Sequence, residues 1–288
     1  MASMRDIKRR KSSIQSTQQI TKAMKLVSTV KLQRAKGNAE RSRNYFSCMY
    51  DTVNSMLAKA GNINHPYLQS GVSERKAVIV ITSNRGLAGG YNSNIIKLIT
   101  RGELQKDTLD IYAVGKKGKD TLNRYGYTIR EDYSDVIEEP AYADAMRISA
   151  QVLKAFTDGE IGEIYLAYTA FKNTVSHEPK LLKLLPVEVE EPSGDSEKDV
   201  RDGAPMNFEP QEEEALELII PKYITSLIYG GMVESVASEN GARMQAMDSA
   251  TSNAEEMIGT LELQYNRARQ GAITQELTEI IAGAEAIS

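Results

Sequence analysis

Three stretches of this chain hold residue types and spacings that could do chemistry. Ser83-Asn84-Arg85-Gly86-Leu87-Ala88-Gly89-Gly90-Tyr91-Asn92 follows a strand pattern and precedes a helix pattern, a place where backbone N–H groups commonly receive phosphates. It lacks both the Gly-Lys-Ser/Thr ending of a Walker loop and the Gly-x-Gly-x-x-Gly fingerprint. A tight structural or partner-contacting turn is therefore the favoured reading, with nucleotide binding as the minor alternative. Gly115-Lys116-Lys117-Gly118 is a second strand-to-helix turn, carrying two cations, for which a solvated turn is favoured. The third stretch, Asn266-Arg267-Ala268-Arg269-Gln270-Gly271-Ala272-Ile273-Thr274-Gln275-Glu276, is too polar to be core on every face. It has no partner acid or base that would make it a catalytic set.

Other reactive groups are few. His65 and His177 are the only histidines and Cys48 the only cysteine, so no zinc cluster and no internal disulfide are expected, and a reducing compartment fits. Carboxylates are plentiful but scattered on helix faces, where solvated surface is the ordinary outcome. No catalytic constellation emerges, and no cofactor is expected. The informative features are mechanical.

The elements that position these stretches begin with two long helices. Residues 222–288 contain no proline. From Met244 onward, Met247, Thr251, Ala254, Ile258, Leu261, Tyr265, Ala268 and Ala272 follow at steps of three and four, the seam of a coiled coil. Such a helix would reach roughly 100 Å at 1.5 Å per residue. A globule of this chain length has a radius of gyration of about 19 Å, so the helix is expected to project as a rod. Residues 1–60 also lack proline and hold a single glycine, Gly37. Residues 1–36 carry ten Lys or Arg against the one acid Asp6, whereas residues 234–288 carry nine Asp or Glu against three Arg. Opposite charge bias at the two ends implies an antiparallel pair.

The seams are unusually polar. The basic helix offers Met4, Ile7, Ile14, Met24, Val27, Val30, Leu32 and Ala35, with Gln18, Thr21 and Ser28 interrupting the apolar face. Two strands with small and polar seam residues bury little apolar area, which points to a surrounding sleeve of other protein.

Between the helices the rhythm changes. The turn formers of residues 61–71 end the first helix. Ala77 to Ile81, Leu109 to Val114, Glu163 to Phe171 and Leu181 to Val189 read as strands, and Asn94 to Leu104, Asp120 to Tyr125 and Glu139 to Phe156 as helices. Along the last of these helices, Ala143, Met146, Ala150, Leu153 and Ala155 form the expected apolar face. This alternation predicts an α/β fold, a Rossmann-like, mostly parallel sheet with right-handed crossovers, plus a long antiparallel two-helix coiled coil. The expected domains are a coiled-coil helix at 1–60, an α/β domain at 72–205 with an acidic loop at 188–205, and a second coiled-coil helix at 210–288. The second helix should start near Pro210, and Pro221 should kink or interrupt it.

Net charge of −4 argues against wholesale nucleic-acid binding, the basic N-terminal segment being a local exception. No run of eighteen apolar residues is found, so no membrane span is expected. The basic, Ser-containing start has the flavour of a mitochondrial transit peptide, but its helical pattern runs well past Lys36.

Several of these residues carry a family resemblance. Ile273-Thr274-Gln275-Glu276-Leu277-Thr278-Glu279 with Gly283-Ala284, and Ile20-Thr21-Lys22-Ala23-Met24 with Val27 and Lys31-Leu32, resemble the terminal helices of the gamma subunit of the bacterial F-type, proton-translocating ATP synthase. Arg243-Met244-Gln245-Ala246-Met247 with Ala250-Thr251, and the Arg85-Gly86-Leu87 turn, agree in the same order along nearly the whole chain. The resemblance implies a rotor, one copy per complex and not an enzyme on its own. Its paired helices would turn inside a hexamer of alpha and beta subunits, and its α/β body would sit with the epsilon subunit on the c-subunit ring. The site would be the cytoplasmic face of the bacterial plasma membrane, reached only through the complex.

Residue by residue, the resemblance implies that Arg269, Gln270, Thr274 and Glu276 contact beta near the upper shaft. Met24 would face beta and be sensitive to added charge, and Arg85 would lie near an acidic lever helix of beta. Phe208 and Glu209 would belong to the foot near the c ring. Ala88 replaces a cysteine often found in the turn, and the regulatory cysteine pair of chloroplast relatives is absent, so thiol control is not expected. The alternatives are a nucleotide-binding α/β protein and a nucleic-acid-binding protein using the basic helix.

Overall fold

The run Lys76-Ala77-Val78-Ile79-Val80-Ile81 is apolar from Ala77 on and β-branched at its last four positions, which suits a strand covered on both faces. It forms β1 (Lys76–Ile81), and its last five residues are all buried. The structure is a computed structural model that describes residues 4–59, 65–187 and 212–285. The described chain forms two units, one made of Met1–Thr29 with Arg243–Ser288, the other of Val30–Ala242.

In the second unit β1 is followed by α2 (Tyr91–Thr100), β2 (Leu109–Val114), α3 (Lys116–Arg124), β3 (Thr128–Asp132), α4 (Tyr142–Thr157), β4 (Glu163–Phe171) and β5 (His177–Leu185). Two long helices flank them in sequence, α1 (Met4–Lys59) and α5 (Glu212–Glu285), each contributing one part to each unit. The sheet order is β3-β2-β1-β4-β5, with β1 parallel to β2 and β4, β2 parallel to β3, and β5 antiparallel to β4. The Rossmann-like, mostly parallel sheet expected from the alternation is present.

Each sheet face has its own core. Ala77, Ile79, Ile81, Tyr112, Val114, Ile164 and Leu166 pack with α4, with Val53 and Met56 of α1, and with Ile220, Ile224, Ile228 and Met232 of α5. Val78, Val80, Ile111, Ala113 and Ala167 pack against Ile95, Ile96 and Ile99 of α2 and Leu122 of α3. Burying both faces removes the period-two alternation from β1 and β2. Gly231 lets α5 approach the sheet, because a Cβ there would lie 2.9 Å from Leu166 Cδ2. Close to it, Ser235 Oγ accepts from Thr169 N at 3.2 Å and Ser238 Oγ donates to Thr169 O at 3.1 Å.

Several expectations need correction. β3 was not expected, because its segment Thr128-Ile129-Arg130-Glu131-Asp132 carries no apolar run; it is an edge strand, mostly exposed, bulged in its pairing with β2. β5 begins earlier than expected and contains Pro179, tolerated because β5 is the opposite edge strand. The buried face of α4 is Ala145, Ile148, Ser149, Val152 and Phe156 with Leu153, whereas Ala143, Met146 and Ala150 are exposed. α2 starts at Tyr91 and not Asn94. α5 continues through Pro221 without interruption, and Thr225 Oγ1 donates to Pro221 O at 2.8 Å. Burial of Ile220 and Ile224 on the sheet holds that segment helical despite the missing N–H. The acidic loop of 188–205, the helix start at Pro210, Phe208 and Glu209 lie outside the described residues.

One stretch of α5 between Glu214 and Ala284 is long and apolar enough to cross a membrane by length and composition. More than half of it, 56%, is buried inside the protein, as in the core helix of a folded domain.

Candidate partner-contact surface

The first unit is an antiparallel helical pair whose register is written by polar contacts. Lys11 Nζ meets Glu262 Oε1 at 2.7 Å, Gln18 Nε2 donates to Glu255 Oε1 at 3.0 Å, and Lys25 Nζ donates to Asp248 Oδ1 at 2.6 Å. Between them Thr21 Oγ1 and Thr251 Oγ1 stand 2.8 Å apart. Moving from Lys11 to Lys25 moves the partner from Glu262 back to Asp248, the same number of residues, so the two helices run in strict antiparallel register. The basic and acidic bias of the two segments is thus used directly, cation to carboxylate. Exposed pairs of this kind contribute little stability each, but their wrong pairings repel, which favours one register.

The acidic helix keeps the expected seam. Met247, Ala254 and Leu261 are buried and Met244, Thr251, Ile258, Tyr265 and Ala268 half-buried, but Ala272 is exposed. The basic helix keeps most of the expected face, with Leu32 and Ala35 buried and Met4 and Met24 half-buried, Val27 and Val30 being the exceptions. Ile7, Thr21 and Ser28 are buried and Lys11, Ile14, Gln18 and Lys25 half-buried, so polar residues belong to the seam itself. Val27 and Val30 are about 60% exposed, with Ile20 and Leu26. Ile20, Val27 and Val30 recur at near-helical spacing, so apolar groups also line an outward face of α1.

Continuing the register places Met4 opposite Arg269, so α5 beyond Arg269 runs past the described part of α1. From Gln270 to Ala284 every residue is exposed. Ile273, Leu277, Ile280 and Ile281 are 50%, 55%, 62% and 64% exposed and fall on one helical stripe. Sequence reasoning stopped the seam at Ala272 and missed this stripe, although its spacing of four, then three and four, was legible.

The residues singled out from the sequence fall in separate places. Arg269, Gln270, Thr274 and Glu276 are exposed on this last part of α5, where Thr274 Oγ1 donates to Gln270 O at 2.9 Å. Gln270 and Thr274 share one face, and Arg269 and Glu276 another. Met24 is half-buried beside the seam. By the register it lies opposite Ser249, about 30 Å along the helix from Arg269 at 1.5 Å per residue. Arg85 belongs to the second unit, where its side chain is 77% exposed and its Nε stands 3.5 Å from Glu138 Oε1.

The turn that carries Arg85 is closed by its own side chains. Asn92 Oδ1 accepts from Ser83 N at 2.9 Å, and Ser83 Oγ donates to Arg85 O at 2.6 Å. Asn84 Nδ2 donates to Ser134 O at 2.7 Å, and Asn84 Oδ1 accepts from Lys116 N at 3.0 Å. Lys117 N then donates to Ser83 O at 3.0 Å, and Gly118 N to Thr82 Oγ1 at 2.9 Å. These contacts consume the first N–H groups of α3, the groups that a phosphate would need. They also explain why α3 starts at Lys116, earlier than local sequence suggested: its cap comes from the end of β1, far away in sequence. The Gly115-Lys116-Lys117-Gly118 turn is therefore capped from within the chain and offers these three donors to no phosphate.

Elsewhere the titratable groups serve the fold. Burial works to raise the Glu163 carboxyl, but hydrogen bonds from Lys76 and Tyr165, with Lys183 close by, outweigh it and hold the group below its ordinary range. Lys76 Nζ lies 2.6 Å and Lys183 Nζ 3.4 Å from Glu163, so one carboxylate ties β1, β4 and β5. Burial depresses the His177 imidazole, with a backbone hydrogen bond at Thr174 opposing it. Among the described residues no group of three or more His, Cys, Asp or Glu is placed to hold a metal ion.

Fold and surface define a class: an α/β unit joined in one chain to a paired-helix unit whose exposed faces carry apolar and polar contact residues. The family model described as ATP synthase matches residues 3–287. The ATP synthase gamma chain of Lachnoclostridium phytofermentans is 66% identical over 291 residues, covering 100% of both chains. A chain in the structure of the Tetrahymena thermophila mitochondrial ATP synthase central stalk and c-ring is 25% identical, with a TM-score of 0.58 over 80% of this chain and 99% of that one. A chain of the Euglena gracilis mitochondrial ATP synthase shares the fold at a TM-score of 0.71 and 19% identity, over 99% of this chain and 94% of that one. This chain belongs to the ATP synthase gamma-chain family.

Proposed function

We propose that the chain is the central-stalk rotor subunit of an ATP synthase, coupling ion flow through a c-subunit ring to ATP synthesis or hydrolysis in an alpha/beta hexamer. The helical pair turns inside the hexamer, and the α/β unit works with the epsilon subunit and the c ring. The subunit is not itself catalytic and works at the cytoplasmic face of the bacterial plasma membrane, held there by the complex. One observation carries this reading. The last helical turns of α5, from Gln270 to Ala284, are exposed on all sides yet bear the apolar stripe Ile273, Leu277, Ile280 and Ile281. A solvated helix has no use for such a stripe, whereas a helix seated in a protein sleeve does.

The mechanism follows from differential contact. A shaft can drive a partner between open and closed states only if each rotary position favours one state over the other. The sides of this shaft differ: Arg269 and Glu276 lie on one face of the upper helix, Gln270 and Thr274 on another, and the apolar stripe winds among them. Met24 and Arg85 are further beta contacts, and Phe208 and Glu209 belong to the foot near the c ring.

The test is reconstitution with cognate alpha and beta subunits. The chain alone should neither bind nor hydrolyse ATP, and the assembled complex should rotate and hydrolyse it. Arg269→Ala with Gln270→Ala should lower steady-state hydrolysis several-fold while sparing assembly, since each lost contact costs on the order of 1 kcal/mol. Unchanged ATP-driven torque after removal of residues 260–288 would overturn the assignment of the upper contacts.

A further inference from the structure

Leu87 stands apart from every other described residue in its backbone. It is the one non-glycine residue at positive φ among them, at 61°, in the left-handed region that leucine rarely enters. Its neighbours Gly86, Gly89 and Gly90 would adopt that conformation without steric penalty, yet the position holds a branched apolar side chain. That side chain is not used by the fold, since it is 64% exposed. The next residue, Ala88, is by contrast 3% exposed. The loop is braced on both sides of Leu87, by Ser83 Oγ on Arg85 O and by Asn92 on Ser83, so the strained conformation is imposed by a built turn.

We propose that Leu87 is an anchor residue, held out by a strained turn to enter an apolar pocket of a partner that also presents carboxylates. The charge argument comes from the same end of the sheet. Arg85 is 77% exposed, and its contact with the half-exposed Glu138 is long at 3.5 Å, a pairing weak enough to be exchanged. Exposed Lys116 and Lys117 follow on the adjoining strand-to-helix turn, and a Cβ on Gly86 would lie 3.9 Å from Lys117 Cε. An apolar knob with cations on its own and the adjoining turn is the arrangement that an acidic helix with an apolar notch would fit, with affinity from the knob and orientation from the charges. Strain retained at an exposed residue is explained when its side chain is needed where strain puts it. This inference rests on the rotor reading and refines its Arg85 contact, with the beta subunit as the acidic partner.

The experiment compares Leu87→Gly, Leu87→Asn and Leu87→Met in the full chain, alone and reconstituted with alpha and beta subunits. Glycine and asparagine accept positive φ, so both variants should unfold at the same or higher urea concentration than the parent chain. Both should lower ATP-driven turnover about tenfold, the loss expected when a leucine anchor is removed from a pocket. Leu87→Met keeps an apolar side chain and should retain most of the turnover. Parental turnover in the Gly and Asn variants would overturn the proposal. So would a fall in urea stability that tracks the fall in turnover, since Leu87 would then serve the fold. If the parent chain itself fails to support turnover with alpha and beta, the rotor reading is what has failed, whatever the variants do.

Discussion

The polar layer at the centre of the helical pair makes a quantitative forecast. Thr21 Oγ1 and Thr251 Oγ1 are 2.8 Å apart, and each also reaches a carbonyl of its own helix, Gln18 O at 3.0 Å and Met247 O at 2.7 Å. Two hydroxyls carry two protons, so only two of these three contacts can be hydrogen bonds at any instant. When both protons go to the backbone, the cross-helix contact is a pair of facing lone pairs. Its net contribution should therefore fall below the ~1 kcal/mol of an ordinary intramolecular hydrogen bond. The bonds back to the helix are of the kind that slightly destabilises helices, so losing them costs little.

Replacing a hydroxyl by a methyl in this seam gains about 0.8 kcal/mol per buried group. Thr21→Val or Thr251→Val alone leaves one hydroxyl against a methyl, and the two effects should cancel to within about 0.5 kcal/mol. The double variant places methyl against methyl and should be more stable than the parent by about 1 kcal/mol, so the cycle should show favourable coupling. Amide exchange around Thr21 and Thr251 in the full chain, with urea unfolding, measures each corner of the cycle. A double variant less stable than the parent by more than ~1 kcal/mol would refute the proton count, because it would mean the cross-helix bond is fully made.

Other outcomes follow from the same geometry. Gly115 sits at φ 120°, and a Cβ there would lie 2.0 Å from Thr82 O, so Gly115→Ala should destabilise the α/β unit by roughly 3 kcal/mol or more in urea unfolding. Gly259→Ala is the opposite case: nothing lies within 4 Å of its Cβ position, and mid-helix alanine should add about 0.5–1 kcal/mol, read from amide exchange along α5. The Glu163 carboxyl is held below its ordinary range when folded, so its stabilising contribution is present above the unfolded value and is lost as pH falls through the folded one. Urea midpoints should therefore drop between about pH 5 and 3, and Glu163→Gln should flatten that limb while lowering stability at pH 7.

Legibility in the sequence followed the range of the forces involved. β2 and β4 were read to the residue because their apolar runs are bounded by polar turns, and the acidic-helix seam was read because a helix face repeats in the chain itself. β3 was not, since an edge strand whose residues are mostly solvated leaves no apolar signature. The start of α3 was missed because Thr82, Ser83 and Asn84 supply its cap across more than thirty residues of chain. In the basic helix Val27 and Val30 looked like seam, but the acidic partner decides otherwise. Lys11 and Lys25 gain Glu262 and Asp248, leaving the valines outward.

The candidate contacts divide in the same way. Motif order alone was enough to name the family and to single out Arg269, Gln270, Thr274 and Glu276, because identity along a helix is a local property. The strain on Leu87, the closed turn behind Arg85 and the unpaired apolar stripe after Arg269 depend on what each segment faces. Residue types and their periods therefore determined two long helices of opposite charge around a mostly parallel sheet. Which faces of those helices meet, and which apolar groups are left outside for a partner, only the folded chain decided, since the burial of one face is settled by the chemistry of the segment packed against it.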